Sequence, residues 1–397
     1  MNILYHHRTQ AEDGQAVHIR SLVRAFEGLG HGVREVVLVE KTGEADPAKG
    51  ETAAPGGAEG ESRAFPWSLV GRVPRFVREV AEYTYTVPAA RRLRAAIAEA
   101  RPDFIYERYA FGNAAGVKVA RSEGIPLVLE VNSPMVLELS RTRGLSFPRH
   151  ARRVETSIFK GADRVAVVTR VLGDMLVDMG VDPGRIFVTP NGVHLDQFAS
   201  PDRVAAREDL GIGHVDVPVL GFTGYYRDWH RLDLVIDGMK DDAALGEAHL
   251  VLVGMGPVEG ELRSRAIQRG VGDRVHFAGT RPHHRIPGIL PAFDVGLVPA
   301  INPYASPLKL HEYMAAGVVP VAPDQPNLRE VLADGVDSLL FPPGNGAALN
   351  RALGRLAADA SLRETLGAAA RSAITERDLT WEGNARRVVS EVELIDK

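Results

Sequence analysis

Segments typical of strands and helices alternate along this chain in two successive series, and this alternation limits the folds that it can adopt. The first series contains short apolar segments typical of buried parallel strands, which are 3–5, 36–39, 104–106, 127–131 and 165–169. The second series contains 219–222, 249–253, 274–277, 295–298, 318–322 and 339–341. Amphipathic helical patterns separate these segments, and the clearest follows Gly14. The alternation predicts an α/β protein with two doubly wound, Rossmann-like domains.

The break between the two series predicts the domain boundaries. Residues 200–217 are polar and loosely patterned, so we expect an N-terminal domain over 1–200 and a second domain over 201–375. Residues 376–397 are predicted to form a C-terminal helix that packs back on the N-terminal domain. Residues 42–62 are dense in Gly, Ala, Pro and Glu without apolar periodicity, which predicts a mobile loop.

Composition excludes several classes of function. A net charge of −4 argues against binding of nucleic acid, because a phosphate backbone demands an excess of Lys and Arg. The absence of cysteine excludes disulfides and thiol catalysis. The first residues are typical of a strand rather than a signal peptide, and no run reaches the roughly 18 apolar residues of a membrane span. We therefore expect a cytoplasmic protein.

Residues 306–322 combine a predicted helix N-terminus, an early lysine and a buried strand. Ser306 is a favourable N-cap and Pro307 a favourable first helical residue, so a helix is predicted to begin there. The unpaired N–H groups at such an end attract anions. Lys309 adds a positive charge in the first turn, and Gly317 is predicted to end the helix. The segment therefore predicts a phosphate site.

The same segment resembles the donor-binding segment of retaining, nucleotide-sugar-dependent glycosyltransferases of family 4. Other segments resemble that family in the same order along the chain, and they are 13–14, 29–31, 161–165, 189–194, 253–257, 275–280 and 293–299. The resemblance covers most of the chain. It implies the GT-B fold, in which two Rossmann-like domains face a crevice. It also implies retaining transfer of a hexosyl or N-acetylhexosaminyl group from a nucleoside-diphosphate sugar to a hydroxyl acceptor, which is a glycan, a lipid-linked molecule or a small molecule.

The donor site is expected on loops of the second domain, because ligands of open α/β sheets lie beyond the carboxyl ends of the strands. The resemblance places Tyr225 and His230 where the family has an Arg and a Lys on the donor diphosphate. We interpret Arg227 as the displaced guanidinium and His230 as a second donor of hydrogen bonds. A solvated loop residue is the alternative interpretation of Arg227. Other candidates on these loops are Gly224, Gly254, Arg281, Ser306 and Leu308.

Two positions of the family's glutamate motif differ in this chain. The family often has two glutamates with seven residues between them, the earlier on the donor sugar and the later on the ribose. Glu312 stands at the later position, so the resemblance implies that it binds the ribose. Tyr304 stands at the earlier position, where it or Asn302 replaces the sugar-contacting carboxylate. A surface carboxylate on a short helix is the alternative interpretation of Glu312.

The first domain is expected to contribute a polar group at the end of its fourth strand. Asn132 stands where the family commonly has a His, and an amide cannot serve as a general base. Asn132 would therefore orient or stabilise a sugar that develops positive charge. Glu130 is the nearest ionisable alternative, although it is equally interpreted as a carboxylate paired with an arginine such as Arg108. Gly14 would let backbone N–H groups approach the donor phosphate.

No metal or other cofactor is expected. The chain lacks an Asp-x-Asp motif, and the adjacent histidines at 6–7 and 283–284 are interpreted as loop residues rather than metal ligands. Positive side chains and the helix N-terminus are expected to neutralise the leaving diphosphate instead.

Residues 67–94 mix apolar residues with arginines in a basic amphipathic pattern. Such a region docks on anionic membranes, which would place the protein at the inner face of the membrane beside a lipid-linked acceptor. The alternative is a pair of ordinary helices with solvated arginines.

Three functions remain open at this point. The first is the retaining glycosyltransferase. The second is a nucleotide-sugar 2-epimerase of the same fold, which would bind the same donor without an acceptor. The third is a catalytically silent nucleotide-sugar-binding protein, which Tyr304 and Asn132 make conceivable.

Overall fold

Two parallel sheets of six strands each organise the protein. The computed structural model describes residues 1–9, 14–37, 74–213 and 217–395. The chain forms two compact units, unit 1 with Met1–Pro190 and Glu382–Lys397, and unit 2 with Asn191–Trp381. The loop predicted at 42–62, and the part of the basic amphipathic region before residue 74, lie outside the described residues.

The sheet of unit 1 has the strand order β2-β1-β3-β4-β5-β6. Its strands are β1 (Asn2–His6), β2 (Gly32–Val36), β3 (Phe104–Arg108), β4 (Leu127–Val131), β5 (Arg164–Val167) and β6 (Ile186–Val188). Its helices are α1 (Gly14–Gly28), α2 (Arg75–Thr84), α3 (Thr86–Ala100), α4 (Ala115–Glu123), α5 (Met135–Thr142), α6 (Pro148–Gly161) and α7 (Arg170–Asp178), with α16 (Trp381–Glu393) joining it from Glu382 onward.

Two strands of unit 1 differ from the sequence prediction. β2 lies at Gly32–Val36 and meets the predicted segment 36–39 at Val36, while residues 38–39 of that segment lie outside the described residues. β6 was not predicted. Both strands are at the edges of the sheet. Only Val36 of β2 is buried, and every residue of β6 is partly exposed. Edge strands of this kind lack the continuous apolar run that marks a central parallel strand.

The sheet of unit 2 has the strand order β12-β11-β10-β7-β8-β9. Its strands are β7 (Val219–Thr223), β8 (His249–Val253), β9 (Val275–Gly279), β10 (Val295–Leu297), β11 (Val319–Pro323) and β12 (Leu339–Phe341). Its helices are α8 (Arg203–Asp209), α9 (Leu232–Asp241), α10 (Glu259–Gln268), α11 (Ile286–Ile289), α12 (Leu308–Ala315), α13 (Pro326–Arg329), α14 (Gly346–Ala358) and α15 (Ala360–Glu376). The α/β prediction with two Rossmann-like domains is confirmed.

Helix α8 lies inside the polar stretch 200–217, for which no helix was predicted. Asp202 caps it by accepting a hydrogen bond from the amide of Ala205. Arg203 and Arg207 both pair with Asp294, the residue before β10. Ion pairs and a cap therefore hold this helix, and such contacts leave no apolar periodicity in the sequence.

Candidate functional site

The sheet of unit 2 has its switch point between β7 and β10. Strands β8 and β9 extend the sheet on one side of β7, whereas β10, β11 and β12 extend it on the other side. In such sheets the ligand crevice lies beyond the carboxyl ends of the two strands at the switch point. The loop after β7, which starts at Gly224, and the segment between β10 and α12 therefore border the candidate site.

Helix α12 begins at Leu308, two residues after its predicted N-cap. Pro307 precedes it with an extended backbone, and no side chain caps the helix. The prediction of Ser306 as N-cap was wrong, because its hydroxyl instead accepts a hydrogen bond of 3.0 Å from the amide of Asn191. The Asn191 side chain also donates to the Ser306 carbonyl. The N-terminus of α12 thus has no side-chain cap competing with an anion.

Lys309, in the first turn of α12, extends towards the loop after β7. Its Nζ lies 3.6 Å from the centroid of the Phe222 ring. A Cβ placed on Gly224 would lie 3.1 Å from that nitrogen. Burial lowers the pKa of Lys309 to about 7, although Glu312 opposes the shift. A bound anion would restore the full charge of this ammonium group, since a nearby opposite charge raises the pKa of a lysine.

Backbone hydrogen bonds join the loop after β7 to the end of β8, and the loop after β8 to the end of β9. The amide of Gly224 donates to the carbonyl of Val253 at 2.9 Å, and that of Gly254 donates to the carbonyl of Gly279 at 2.8 Å. A Cβ on Gly254 would lie only 1.9 Å from the carbonyl oxygen of Gly224. Packing between the loops therefore already requires glycine at position 254, independently of any ligand.

The loop after β7 brings together Tyr225, Arg227 and His230. The guanidinium carbon of Arg227 lies 4.7 Å from the centroid of the Tyr225 ring. The amide of Arg227 donates to Nδ1 of His230 at 3.3 Å. Burial, and then repulsion by Lys309 and Arg227, lower the pKa of His230 to about 2. His230 is therefore neutral at pH 7, so the positive charge beside it comes from Arg227 and from the protonated form of Lys309.

Glu312 lies one turn after Lys309 and is buried, so its interpretation as a surface carboxylate was wrong. Its Oε1 accepts a hydrogen bond of 2.6 Å from Nε2 of His283. His283 begins a short 3-10 turn, 283–285, after β9. This contact was not predicted, because nothing in the spacing of the two residues indicates that they meet.

Asn327 holds the segment that carries Asn302 and Tyr304. Its side-chain amide donates to the carbonyls of Asn302 at 3.3 Å and of Ala305 at 2.7 Å. The Tyr304 side chain is buried, with 3% of its surface exposed. Asn327 therefore fixes the backbone on which both candidates for the sugar contact lie.

Arg281 is engaged in contacts with the scaffold of unit 2. Its guanidinium donates to the carbonyl of Ala278 at 2.6 Å and to that of Asp209, at the end of α8, at 3.1 Å. These bonds attach the loop after β9 to α8. These contacts therefore do not support the predicted binding of Arg281 to the donor.

The sheet of unit 1 has its switch point between β1 and β3. His6 and Glu107 lie opposite each other in these strands. Their side chains are buried, with 2.6 Å between Nδ1 of His6 and Oε2 of Glu107. Gly14 begins α1, and a Cβ placed there would meet no atom of the described residues within 4 Å. The space beside Gly14 is compatible with an approaching ligand.

Glu130 is the centre of a buried hydrogen-bond network in unit 1. It accepts hydrogen bonds from Arg108, from Asn132 and from the hydroxyl of Tyr5, and Nε2 of His18 lies 3.2 Å away. Burial alone would raise the pKa of Glu130, but His18 and Arg108 hold it well below its usual range. A carboxylate held in this way is a poor base. The structure therefore supports the interpretation of Glu130 as a carboxylate paired with Arg108.

The network also orients Asn132. A carboxylate only accepts hydrogen bonds, so the NH₂ group of Asn132 must face Glu130. Its carbonyl oxygen therefore points away from Glu130 and is the part of the side chain that can meet a ligand. Sequence reasoning gave the position of Asn132 but missed His18, whose place on α1 gave no sign of Glu130.

Across the ranges that the structure describes, no group of three or more His, Asp and Glu side chains could hold a metal ion. None of the helices in those ranges is long and apolar enough to cross a membrane.

The described part of the basic amphipathic region exposes apolar side chains on α2. Phe76 is 52% exposed, Val77 42% and Val80 45%. Arg75 and Arg78 are exposed on the same helix. The helix therefore presents an apolar and basic surface.

Comparisons with known proteins show which family the sequence of this chain matches. Residues 217–359 match the family model described as Glycosyl transferases group 1, and residues 13–197 match the model described as Glycosyltransferase Family 4. A D-inositol 3-phosphate glycosyltransferase of Xylanimonas cellulosilytica is 30% identical over 295 residues, which cover 70% of this chain and 69% of that protein.

A protein of the same name from Stackebrandtia nassauensis is 28% identical over 281 residues, which cover 68% of this chain and 63% of that protein. The match therefore spans less than two thirds of this relative. Among solved structures, HepE of Anabaena in complex with UDP resembles the chain with a TM-score of 0.72 and 16% identity, over 99% of this chain and 100% of HepE. HepE has also been solved in complex with UDP-glucose. At this identity the likeness is one of fold.

Proposed function

We propose that this chain, which belongs to the family 4 (group 1) glycosyltransferases, transfers a sugar from a nucleoside-diphosphate sugar to a hydroxyl acceptor. The observation that carries the proposal is the cluster at the switch point of unit 2. Nζ of Lys309 lies 3.6 Å from the centroid of the Phe222 ring, and that centroid lies 5.0 Å from the centroid of the His230 ring. The amide of Arg227 donates to Nδ1 of His230, so the three residues lie close together beside the uncapped end of α12. Two cations and a helix N-terminus suit a diphosphate.

In the proposed reaction, unit 2 stabilises the leaving diphosphate. Charge develops on the phosphate oxygens as the glycosidic bond breaks, and Lys309 and Arg227 are placed to neutralise it in a partly water-excluded site. Retention follows if the acceptor attacks the same face, since the leaving phosphate can take the acceptor's proton and no protein nucleophile is required. We further propose that no metal ion takes part and that the group transferred is a hexosyl or N-acetylhexosaminyl group.

The test is a transfer assay with UDP-, GDP- and ADP-sugars, with and without an acceptor. UDP-glucose is the first donor to use, because HepE is solved with it. D-inositol 3-phosphate is the first small acceptor to use, because it appears in the names of the relatives. Glycan and lipid-linked acceptors follow.

We expect the acceptor to increase the release of nucleoside diphosphate. NMR should show that the product keeps the anomeric configuration of the donor. The rate of transfer should be unchanged in EDTA. Conversion of the donor at C2 without an acceptor would instead identify a 2-epimerase. A protein that binds donors but releases no product over many hours would be catalytically silent. Loss of activity in EDTA, with recovery in magnesium or manganese, would contradict the metal-independent mechanism.

Glu312 and Tyr304 are expected to affect different parts of the donor. Glu312→Gln should weaken the free nucleotide and the complete donor by similar factors, because the proposed contact is with the ribose. Tyr304→Phe keeps the buried ring and removes only the hydroxyl, so it should spare the free nucleotide. We expect it to change the preference among sugars by about tenfold, or ~1.4 kcal/mol.

Competition calorimetry with the free nucleotide and several nucleotide sugars on both variants measures the difference. Equal losses of free-nucleotide binding in Tyr304→Phe and Glu312→Gln would show that the two positions have been assigned wrongly.

We also propose that the protein is cytoplasmic and that α2 makes a peripheral contact with an anionic membrane. Replacement of both Phe76 and Val80 by Ser should reduce cosedimentation with phosphatidylglycerol vesicles by about tenfold or more, since both side chains are exposed and apolar. Ile267→Ser on α10 is the matched control, because Ile267 is also exposed. Wild-type protein that remains in the supernatant with anionic vesicles would rule the contact out.

A further inference from the structure

We propose that His283 is a positioning residue for ribose recognition, which holds the Glu312 carboxylate so that its second oxygen meets the ribose hydroxyls of a bound nucleotide. The inference rests on the proposed function, and within it on Glu312 as the group that binds the ribose.

The contact that carries the inference joins the turn after β9 to α12. Nε2 of His283 donates to Oε1 of Glu312 at 2.6 Å, and the side chains are 36% and 8% exposed respectively. Since a carboxylate only accepts hydrogen bonds, Nε2 must carry the proton, whatever the charge of the ring. One bond to Oε1 leaves acceptor capacity on the carboxylate for two hydroxyl groups.

Both partners are attached to rigid parts of unit 2. Leu310, Tyr313 and Met314 of α12 are fully buried, so the helix that carries Glu312 cannot shift easily. The loop that carries His283 starts from the end of β9, where the Gly254 amide donates to the Gly279 carbonyl, and Arg281 attaches the loop to the carbonyl of Asp209 at the end of α8. His283 is therefore a fixed donor, and its bond selects one orientation of the Glu312 carboxylate.

Glu312 is also attracted by the ammonium group of Lys309 on the same helix. The two charges already interact, since Glu312 raises the pKa of Lys309 against the effect of burial. A carboxylate that turns towards Lys309 would leave the ribose and compete with the diphosphate for that cation. His283 thus separates the two tasks, with Glu312 kept for the ribose and Lys309 for the phosphates.

The experiment compares ribose recognition in His283 variants by calorimetry. The probes are the tightest binder among UDP, GDP and ADP, and its 2′,3′-dideoxy analogue, which lacks the hydroxyls that Glu312 would bind. We expect His283→Ala to lower the affinity for the ordinary nucleotide by about tenfold and to leave that for the dideoxy analogue within twofold. His283→Gln, whose amide can donate from a similar position, should restore most of the loss.

His284→Ala is the matched control, because His284 is the next residue on the same turn and is exposed. It should bind both nucleotides like the wild type. The double variant His283→Ala with Glu312→Gln should lose no more ribose preference than Glu312→Gln alone, because the histidine acts through the carboxylate.

Equal weakening of both nucleotides in His283→Ala would overturn the inference, since it would indicate a general disturbance of the site. Tighter binding of the ordinary nucleotide would overturn it too, because His283 would then be occupying the ribose position. A wild type that binds none of the three nucleotides would overturn the proposed donor class and this inference together. A wild type that binds and prefers the ribose, with the preference unchanged in His283→Ala, would overturn the inference alone.

Discussion

Lys309→Met is expected to lower the turnover number of sugar transfer by about 10²- to 10³-fold, because it removes a preorganised cation from the leaving diphosphate. Methionine keeps an apolar stem beside the Phe222 ring, on which the lysine now packs. Arg227→Ala is expected to weaken binding of nucleoside diphosphate by about 1.5–3 kcal/mol, the cost of one hydrogen bond to a charged group. Steady-state kinetics and calorimetry measure the two effects.

Lys240→Met is the control, because Lys240 is exposed near the end of α9. Unchanged nucleotide affinity in both Lys309→Met and Arg227→Ala would contradict the assigned phosphate site.

The dependence of nucleotide affinity on pH gives a second check of this site. Because burial lowers the pKa of Lys309 to about 7 and a phosphate needs the protonated form, affinity should fall as the pH rises above about 7. Lys309→Met should lack this fall.

Glu130→Gln is expected to lower the free energy of unfolding of unit 1 by about 3–5 kcal/mol. The substitution keeps the shape of the side chain but removes the charge that Arg108 and His18 face inside the protein. Urea denaturation, followed by a probe in unit 1, measures the effect. Glu27→Gln is the control, since Glu27 is an exposed residue of α1.

The same network predicts how stability depends on acid. The pKa of Glu130 in the folded protein lies well below its value in the unfolded chain, which is about 4.3. Its contribution to stability is therefore complete above that pH and is lost as the pH falls towards the folded pKa. Glu130→Gln should lack this part of the acid dependence. If the free energy of unfolding of Glu130→Gln at pH 7 lies within about 1 kcal/mol of the wild-type value, the prediction is wrong. Arg108 and His18 would then not need the charge of Glu130.

Central parallel strands were predictable because burial on both faces produces a continuous apolar run. The predicted segment 219–222 became β7 (Val219–Thr223), and 318–322 became β11 (Val319–Pro323). β2 was misplaced because it lies at the edge of the sheet and buries only Val36. Helix α8 was missed because caps and ion pairs to Asp294, a residue distant in sequence, hold it.

The candidate site shows the same division. The positions of Lys309, Glu312 and Gly224 after their strands followed from local pattern and family resemblance. The hydrogen-bond partners of these residues could not be predicted in this way. Ser306 is the clearest case, because its hydroxyl, which was predicted to cap α12, instead accepts a hydrogen bond from the amide of Asn191. A favourable cap residue does not cap when a distant segment offers it a better hydrogen bond.

The sequence alone determined that strands and helices alternate in two series, and therefore that the carboxyl ends of the strands in unit 2 carry a basic, glycine-containing set of loops. That information is local, because burial of a strand or of a helix face repeats over a few residues. Only the tertiary structure decided that Glu312 meets His283 and that Glu130 meets His18 and Arg108. Such pairs depend on how elements far apart in the chain pack against each other. The pKa of a buried carboxyl group is set by the hydrogen-bond donors and charges that this packing places beside it.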